Sequence, residues 1–381
     1  MRNRIGSIVC LLVSVLLTVS CVPPQSASVP GAGTPISHRD KWGCIDKSGK
    51  YLASPAFDRF LPYSEGLAAV VVDGKYGYLD RSGNLAIKPQ FHDALAFSEG
   101  RAAVRIGGVM GFVDKQGRYV INPQFTEALS FTEGLAAVQS GLRWGFVDGD
   151  GTLVMPPQFE EVFNFSEGRA AVKTNGRWGF VDKKGNLPVS PVYDQVLSFS
   201  EGLAAVKTAS GWGFVNLDGQ SVVRPQYPEV YSFSEGFAAV KRGNKWGFIN
   251  NKGELAITPY LDGAYSFREK YAQVHLNGKW GFVDRNGEPI VSLRFRRALP
   301  FSEGLAAVEN PDKQWGFIDK KGEFAVKPQF SRALSFADGL ALVEVYGQWG
   351  YIDRNGNYAV NPQFSEALSF AEGIAPVKIG P

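Results

Sequence analysis

Groups that bind metals or carry redox chemistry are scarce in this chain. It has three cysteines, three histidines and three methionines in 381 residues. His38, His92 and His275 are far apart, and no two stand at metal-ligand spacing. No G-x-x-x-x-G-K-S/T phosphate loop occurs, and no G-x-S-x-G nucleophile elbow. The net charge is only +3, so no strong basic field points to nucleic acid. Beyond the N-terminus no apolar run is long enough to cross a bilayer as a helix. No segment sustains a 3.6-residue period. These absences argue against a metal centre, a cofactor, a helical core and a nucleic-acid partner. What is abundant is glycine (44), proline (22) and aromatic residues (13%), a composition that suits a turn-rich all-β chain.

The first residues read MRNRIGSIVCLLVSVLLTVSC. Arg2 and Arg4 form a basic start, and Ile8 to Leu17 form an apolar stretch of secretory-signal length. Ser20 stands directly before Cys21. The segment resembles a bacterial lipoprotein signal, departing from it only at Thr18, where leucine is usual. The resemblance implies cleavage before Cys21 and its lipidation, with the acyl chains anchoring the protein to a membrane. Residues 21–40 then read as the lipidated cysteine and a flexible Pro/Ser/Gly tether, and 41–381 as the folded body. Val22 supplies no acidic retention cue, which favours an outer membrane where the host has one. Cys44 is expected to be a buried apolar residue.

The body is periodic. A Trp-Gly pair recurs at Trp42, Trp144, Trp178, Trp212, Trp246, Trp280, Trp315 and Trp349, using all eight tryptophans; Tyr76 and Met110 fill the two vacant columns. The step is 34 residues, and 35 between Trp280 and Trp315. Each unit continues through Asp-x-x-Gly, Pro-x-Phe and Phe-Ser-Glu-Gly-Leu-Ala-Ala-Val, clearest at 199–206. These motifs together resemble the WG (KWG) repeat family of bacterial proteins. The resemblance covers about 340 residues. It implies a β-repeat architecture outside the cytoplasm and no common activity.

Each unit is predicted to hold three or four short strands, with hairpin turns such as Asn175-Gly176 and Asn277-Gly278. No unit can bury its own apolar face, so neighbours must stack. The expected fold is all-β: ten tandem hairpin repeats stacked as an open, curved solenoid. A closed propeller-like ring is the alternative. The array starts at a Trp-Gly strand and ends on Ala375-Pro376-Val377-Lys378, the half that normally precedes that strand. Against closure, 34 residues is short for a propeller blade and ten blades is many.

Two acidic columns accompany the tryptophans. One runs through Glu65, Glu99 and onward to Glu372; the other runs through Asp46, Asp80 and onward to Asp353. Paired carboxylates can catalyse or bind calcium. Ten copies speak instead for turns, because catalysis needs one distinct constellation. Asp148-Gly149-Asp150-Gly151 lacks the remaining ligands of a calcium loop and reads as a turn. The tryptophan column is expected to pack, with an exposed sugar-stacking ladder as the competing role. The repeat breaks most in units seven and eight, where Arg268, Lys270, Arg294, Arg296 and Arg297 replace small, acidic or polar residues. These five are the candidate basic patch for an acidic partner. The expected function is a non-enzymatic, lipid-anchored envelope protein that binds another envelope protein. A cell-wall glycan is the alternative ligand.

Overall fold

The four-residue motif Ser-Glu-Gly-Leu makes the tightest connection in the repeat. In the computed structural model, which describes residues 41–380, Ser64 and Leu67 exchange both backbone hydrogen bonds across it. The two central residues are both left-handed, Glu65 at φ 53° and Gly66 at φ 86°. That is the geometry of a two-residue hairpin turn whose twist matches its strands. A second tight turn, such as Asp73-Gly74, joins the Leu-Ala-Ala-Val strand to the Trp-Gly strand. An Asp-x-x-Gly turn leads to the last strand.

The result is ten antiparallel sheets. In blade 3, for example, strands Glu127–Ala128, Leu135–Ser140, Arg143–Asp148 and Leu153–Phe159 lie in that order. We number the blades from residues 59–91 (blade 1) onward: blade 5 covers 195–227, blade 6 covers 230–261, blade 7 covers 263–295, and blade 8 covers 297–330. Each last strand runs almost without pause into the next blade. Only His92 separates Leu85–Phe91 from Asp93–Ala94. A sequence unit therefore straddles two blades.

That half-unit offset decides the architecture. Blade 10 is built from both ends of the chain, in the order Tyr51–Phe57, Trp42–Asp46, Ile374–Lys378, Glu366–Ala367. Trp42 pairs with Lys378 and Asp46 with Ile374, in the register of every internal hairpin. The array is thus a closed ten-bladed β-propeller, not the open solenoid expected first. The short repeat does not prevent closure, because most of its connections take one to seven residues and leave the rest for strands.

The Trp-Gly glycine is explained by a close crossing. The last strand bulges at its proline and passes over it. A Cβ on Gly213 would lie 2.3 Å from the Val223 carbonyl oxygen, so only glycine fits there. Blades are joined by aromatic pairs. The Trp-Gly-Phe ring of one blade meets the Phe-Ser-Glu ring of the next at 4.7–5.1 Å in nine junctions, for example Phe180 with Phe199 and Phe248 with Phe267. Such tilted and edge-on pairs add about 0.5–1.5 kcal/mol each beyond their area burial. At the tenth junction Cys44 takes the ring's place. Its sulfur lies 3.8 Å from the hydroxyl of Tyr63, which stands where the others have phenylalanine. Cys44 is fully buried, and burial pushes its thiol pKa up. Among the described residues no helix is long and apolar enough to cross a membrane. The signal segment, Cys21 and the tether lie outside the described residues.

Candidate functional site

The acidic columns are the most regular polar feature of the ring. Every Glu of the Glu-Gly turn reaches the next blade. The Glu65 carboxylate accepts the Gly100 N–H, Glu201 accepts that of Gly236, and Asp338 accepts that of Gly373. Glu372 accepts the Gly66 N–H and so completes the circle across the chain ends. All ten links measure 2.7–2.9 Å. Lys270 stands in the glycine place once and still donates its N–H, to Glu235. In five blades a base reinforces the carboxylate: Arg81 at Glu372, Lys115 at Glu65, Lys183 at Glu133, Arg285 at Glu235 and Lys320 at Glu269. Burial alone would raise the pKa of Glu133, Glu269 and Glu372. Hydrogen bonds from Lys183, Lys320 and Arg81, and from the glycine amides, outweigh it and hold all three below the ordinary carboxylate value.

The second column is equally structural. Asp46 accepts the N–H groups of Ser48 and Lys50, and each of the ten Asp or Asn residues repeats that pattern. Asp148 belongs to this set, so its loop is a turn. No group of acidic, His and Cys side chains able to hold a metal occurs among the described residues.

The five basic residues do not form one surface. Arg268 pairs opposite Tyr271 at the Glu-Gly end of blade 7, and Lys270 is in that turn. Arg297 pairs opposite Glu309, at the other end of its strand in blade 8. The Glu269 link to Gly304 sets the two blades level, so about three or four residues of rise separate the groups, on the order of 10–13 Å. Arg296 and Arg297 also have a local task. Both lie beside the Glu309 carboxylate, at 3.6 and 3.7 Å. Glu309 occupies the column that holds Lys173, Lys241 and Lys378 elsewhere, each paired with a Glu on the facing first segment of its blade. Blade 8 thus swaps the two charges, and blade 9 does the same with Arg332 and Glu344. The signal was present in the sequence as Glu309. Arg294 lies over the rings of Phe295 and Phe324.

The tryptophans mostly pack. Trp144, Trp178, Trp246 and Trp315 are buried, while Trp42, Trp212, Trp280 and Trp349 are half-buried. In blades 6 and 7 they join an aromatic lane. Tyr231 stacks on Trp246 at 5.4 Å, Tyr265 on Trp280 at 5.7 Å, and the two tyrosines meet at 5.8 Å. Both tyrosines occupy a column that holds leucine in most other blades, a substitution that sequence reading passed over. Next to the lane a cleft of about 250 Å³ opens between blades 5 and 6, lined by Leu197, Trp212, Glu229, Val230, Tyr231 and Trp246.

Comparison with known proteins fits this geometry. The sequence model of the family described as "WG containing repeat" matches ten successive segments, from 42–76 to 349–380. No curated protein sequence matches the chain. Among solved structures, the chain is similar to a crystal structure of "the eukaryotic initiation factor", at 10% identity and a TM-score of 0.50, over 78% of this chain and 94% of that one. It is also similar to BamB from Moraxella catarrhalis, at 10% identity and a TM-score of 0.37, over 84% and 96% of the two chains. A third is the computationally designed protein Ika8, at 11% identity and a TM-score of 0.38, over 76% and 98%. At 10% identity the first likeness speaks to fold alone, and the other two carry no argument.

Proposed function

The chain belongs to the WG-containing repeat family, and from that premise we propose that it is a non-enzymatic envelope lipoprotein whose propeller binds another envelope protein. The observation that carries this reading is the use made of the repeated polar groups. Ten Glu-type carboxylates and ten Asp or Asn side chains are spent on backbone N–H groups, which makes the ring a stiff frame. A stiff frame with a variable surface suits recognition of a protein partner. Membrane attachment through Cys21 follows from the signal-like N-terminus. Two experiments test the proposal. Labelling cells with an alkyne palmitate analogue should tag the wild type and leave Cys21→Ser unlabelled. Photo-crosslinking from the ring surface in intact cells should trap one or a few discrete envelope proteins. A ladder that matches protein abundance would count against a specific partner.

The aromatic lane favours a second reading, binding of a cell-wall glycan, because sugar faces stack on half-exposed aromatic rings. Saturable co-sedimentation of the propeller with purified sacculi, competed by free muropeptides, would support it. A clean supernatant would leave the protein partner in front.

A further inference from the structure

Blades 5 and 6 meet differently from their neighbours. At the preceding crossing, Arg177 bridges to Asp194; at the following one, Lys245 bridges to Asp262. Between blades 5 and 6 the same two positions are Gly211 and Pro228, so no side-chain bridge can form. The short first strand is also reduced there. Blade 6 is three-stranded, and its fourth segment keeps only a single bridge, Val230 to Val240. The packing column changes too. Phe163 lies against Trp178 in blade 4, Tyr231 against Trp246 in blade 6, and Tyr265 against Trp280 in blade 7. In blade 5 that residue is Leu197, as in most blades, but here it borders the unbridged seam, and a slot lined by Leu197, Trp212 and Tyr231 opens there.

One cation stands at Trp212, beside the residues that line the slot. Lys207 lies opposite Trp212 in the ladder, with its ammonium 5.7 Å from the indole centre. The equivalent Lys173 and Lys241 are paired with Glu161 and Glu229 at 2.6 and 2.5 Å. Lys207 faces Gln195 instead, with a contact of 3.5 Å, and it forms no ion pair among the described residues. The one carboxylate in the slot, Glu229, is already engaged by Lys241. A ligand entering here meets flat apolar walls, with one unneutralised positive charge held over the Trp212 ring beside them. It meets few of the polar side chains that a sugar's hydroxyls would require.

We infer that this slot is the partner-binding site, and that it takes an extended peptide segment presenting a proline or aromatic ring with a carboxylate beside it. The ring fills the cleft beside Leu197 and packs against Trp212 and Tyr231. The carboxylate meets Lys207. This inference rests on the protein-binding reading above, and the two can fail separately. If Leu197→Tyr leaves in-cell crosslinking intact, a partner exists but binds elsewhere.

The direct test uses the propeller labelled with 5-fluorotryptophan, with the Trp212 resonance assigned by Trp212→Phe. The probe is the peptide acetyl-Asp-Pro-Tyr-Pro-Asp-amide. Its controls are the same peptide with lysine for aspartate, and a glucuronic acid oligosaccharide. The acidic peptide should shift the Trp212 signal saturably, and the lysine peptide should not. Leu197→Tyr introduces the residue of blades 6 and 7, fills the slot and should weaken binding at least about tenfold. Lys207→Gln, a surface change, should weaken it about as much, a loss of roughly one ionic hydrogen bond. No saturable shift at millimolar peptide would overturn the assignment, as would undiminished binding by both variants. A shift with the oligosaccharide alone would overturn it in favour of a glycan.

Discussion

A glutamate in the left-handed region is costly unless its side chain gains something there. Nine of the ten turns place Glu at φ 51–55°, a position where Asn or Gly is usual. The gain is the reach of the side chain, long enough to cap the amide of the next blade. Glu167 shows it well, accepting from both Glu201 and Gly202. Glu167→Ala loses both bonds and keeps the unfavourable φ, so it should cost about 1–3 kcal/mol in urea unfolding. The same carboxylates set the acid limit. Glu133, Glu269 and Glu372 have folded pKa values below their unfolded value of about 4.3. Their contribution is complete above about pH 4.3 and is lost as pH falls through the lower folded values. Stability measured from pH 6 to pH 2 should therefore drop below about pH 4.3, and less steeply in a Glu133→Gln, Glu269→Gln, Glu372→Gln triple variant.

Strands and their junctions carry the next level of stability. Phe180 is fully buried and meets Phe199 across a blade boundary. Phe180→Ala should cost about 3–5 kcal/mol, read as a lower urea midpoint. The charge swap in blade 8 predicts a sign reversal. Arg297→Glu sets a carboxylate opposite the buried Glu309, and Glu309→Lys in that background recreates the polarity of blades 4 and 10. The double variant should recover stability relative to Arg297→Glu alone, with a coupling of about 0.5–3 kcal/mol in the mutant cycle. Additive losses would mean that Arg297 and Glu309 do not act as a pair.

Over the whole molecule the decisive feature is that the chain ends finish one blade together. Lys378 and Trp42 face each other as Gln139 and Trp144 do in a continuous hairpin. Their ends can therefore be joined. A permutant that links Gly380 to Lys41 through one inserted residue, and opens at Gly141-Leu142, should fold to the same spectrum and unfold as one transition. Leu142 is 84% exposed at a hairpin tip, so the new ends disturb no core. Deleting 371–381 instead removes the Ile374–Lys378 strand and the Glu372 link, and should broaden the transition. An unchanged sharp transition after that deletion would show that the ring gains nothing from closing.

Sequence alone was enough for the repeat, its period, the all-β class and the turn chemistry. Those rest on local rules: two-residue turns need left-handed residues, and short hairpins need large apolar side chains. The packing of most tryptophans and the burial of Cys44 were legible for the same reason. The sequence also held, in its terminal half-units, the possibility of closure. Choosing between solenoid and ring needed the accumulated angle between blades, a small rotation per unit that no single unit's residues express. Tertiary structure also decided what each carboxylate touches, because its partner lies a full repeat away. It separated Arg268 and Lys270 from Arg294, Arg296 and Arg297, since residues close in sequence columns can stand at opposite ends of a strand. The slot beside Trp212 belongs to this last group. It arises where Gly211 and Pro228 leave a seam without its bridge, and only the neighbours packed around Leu197 reveal the open volume.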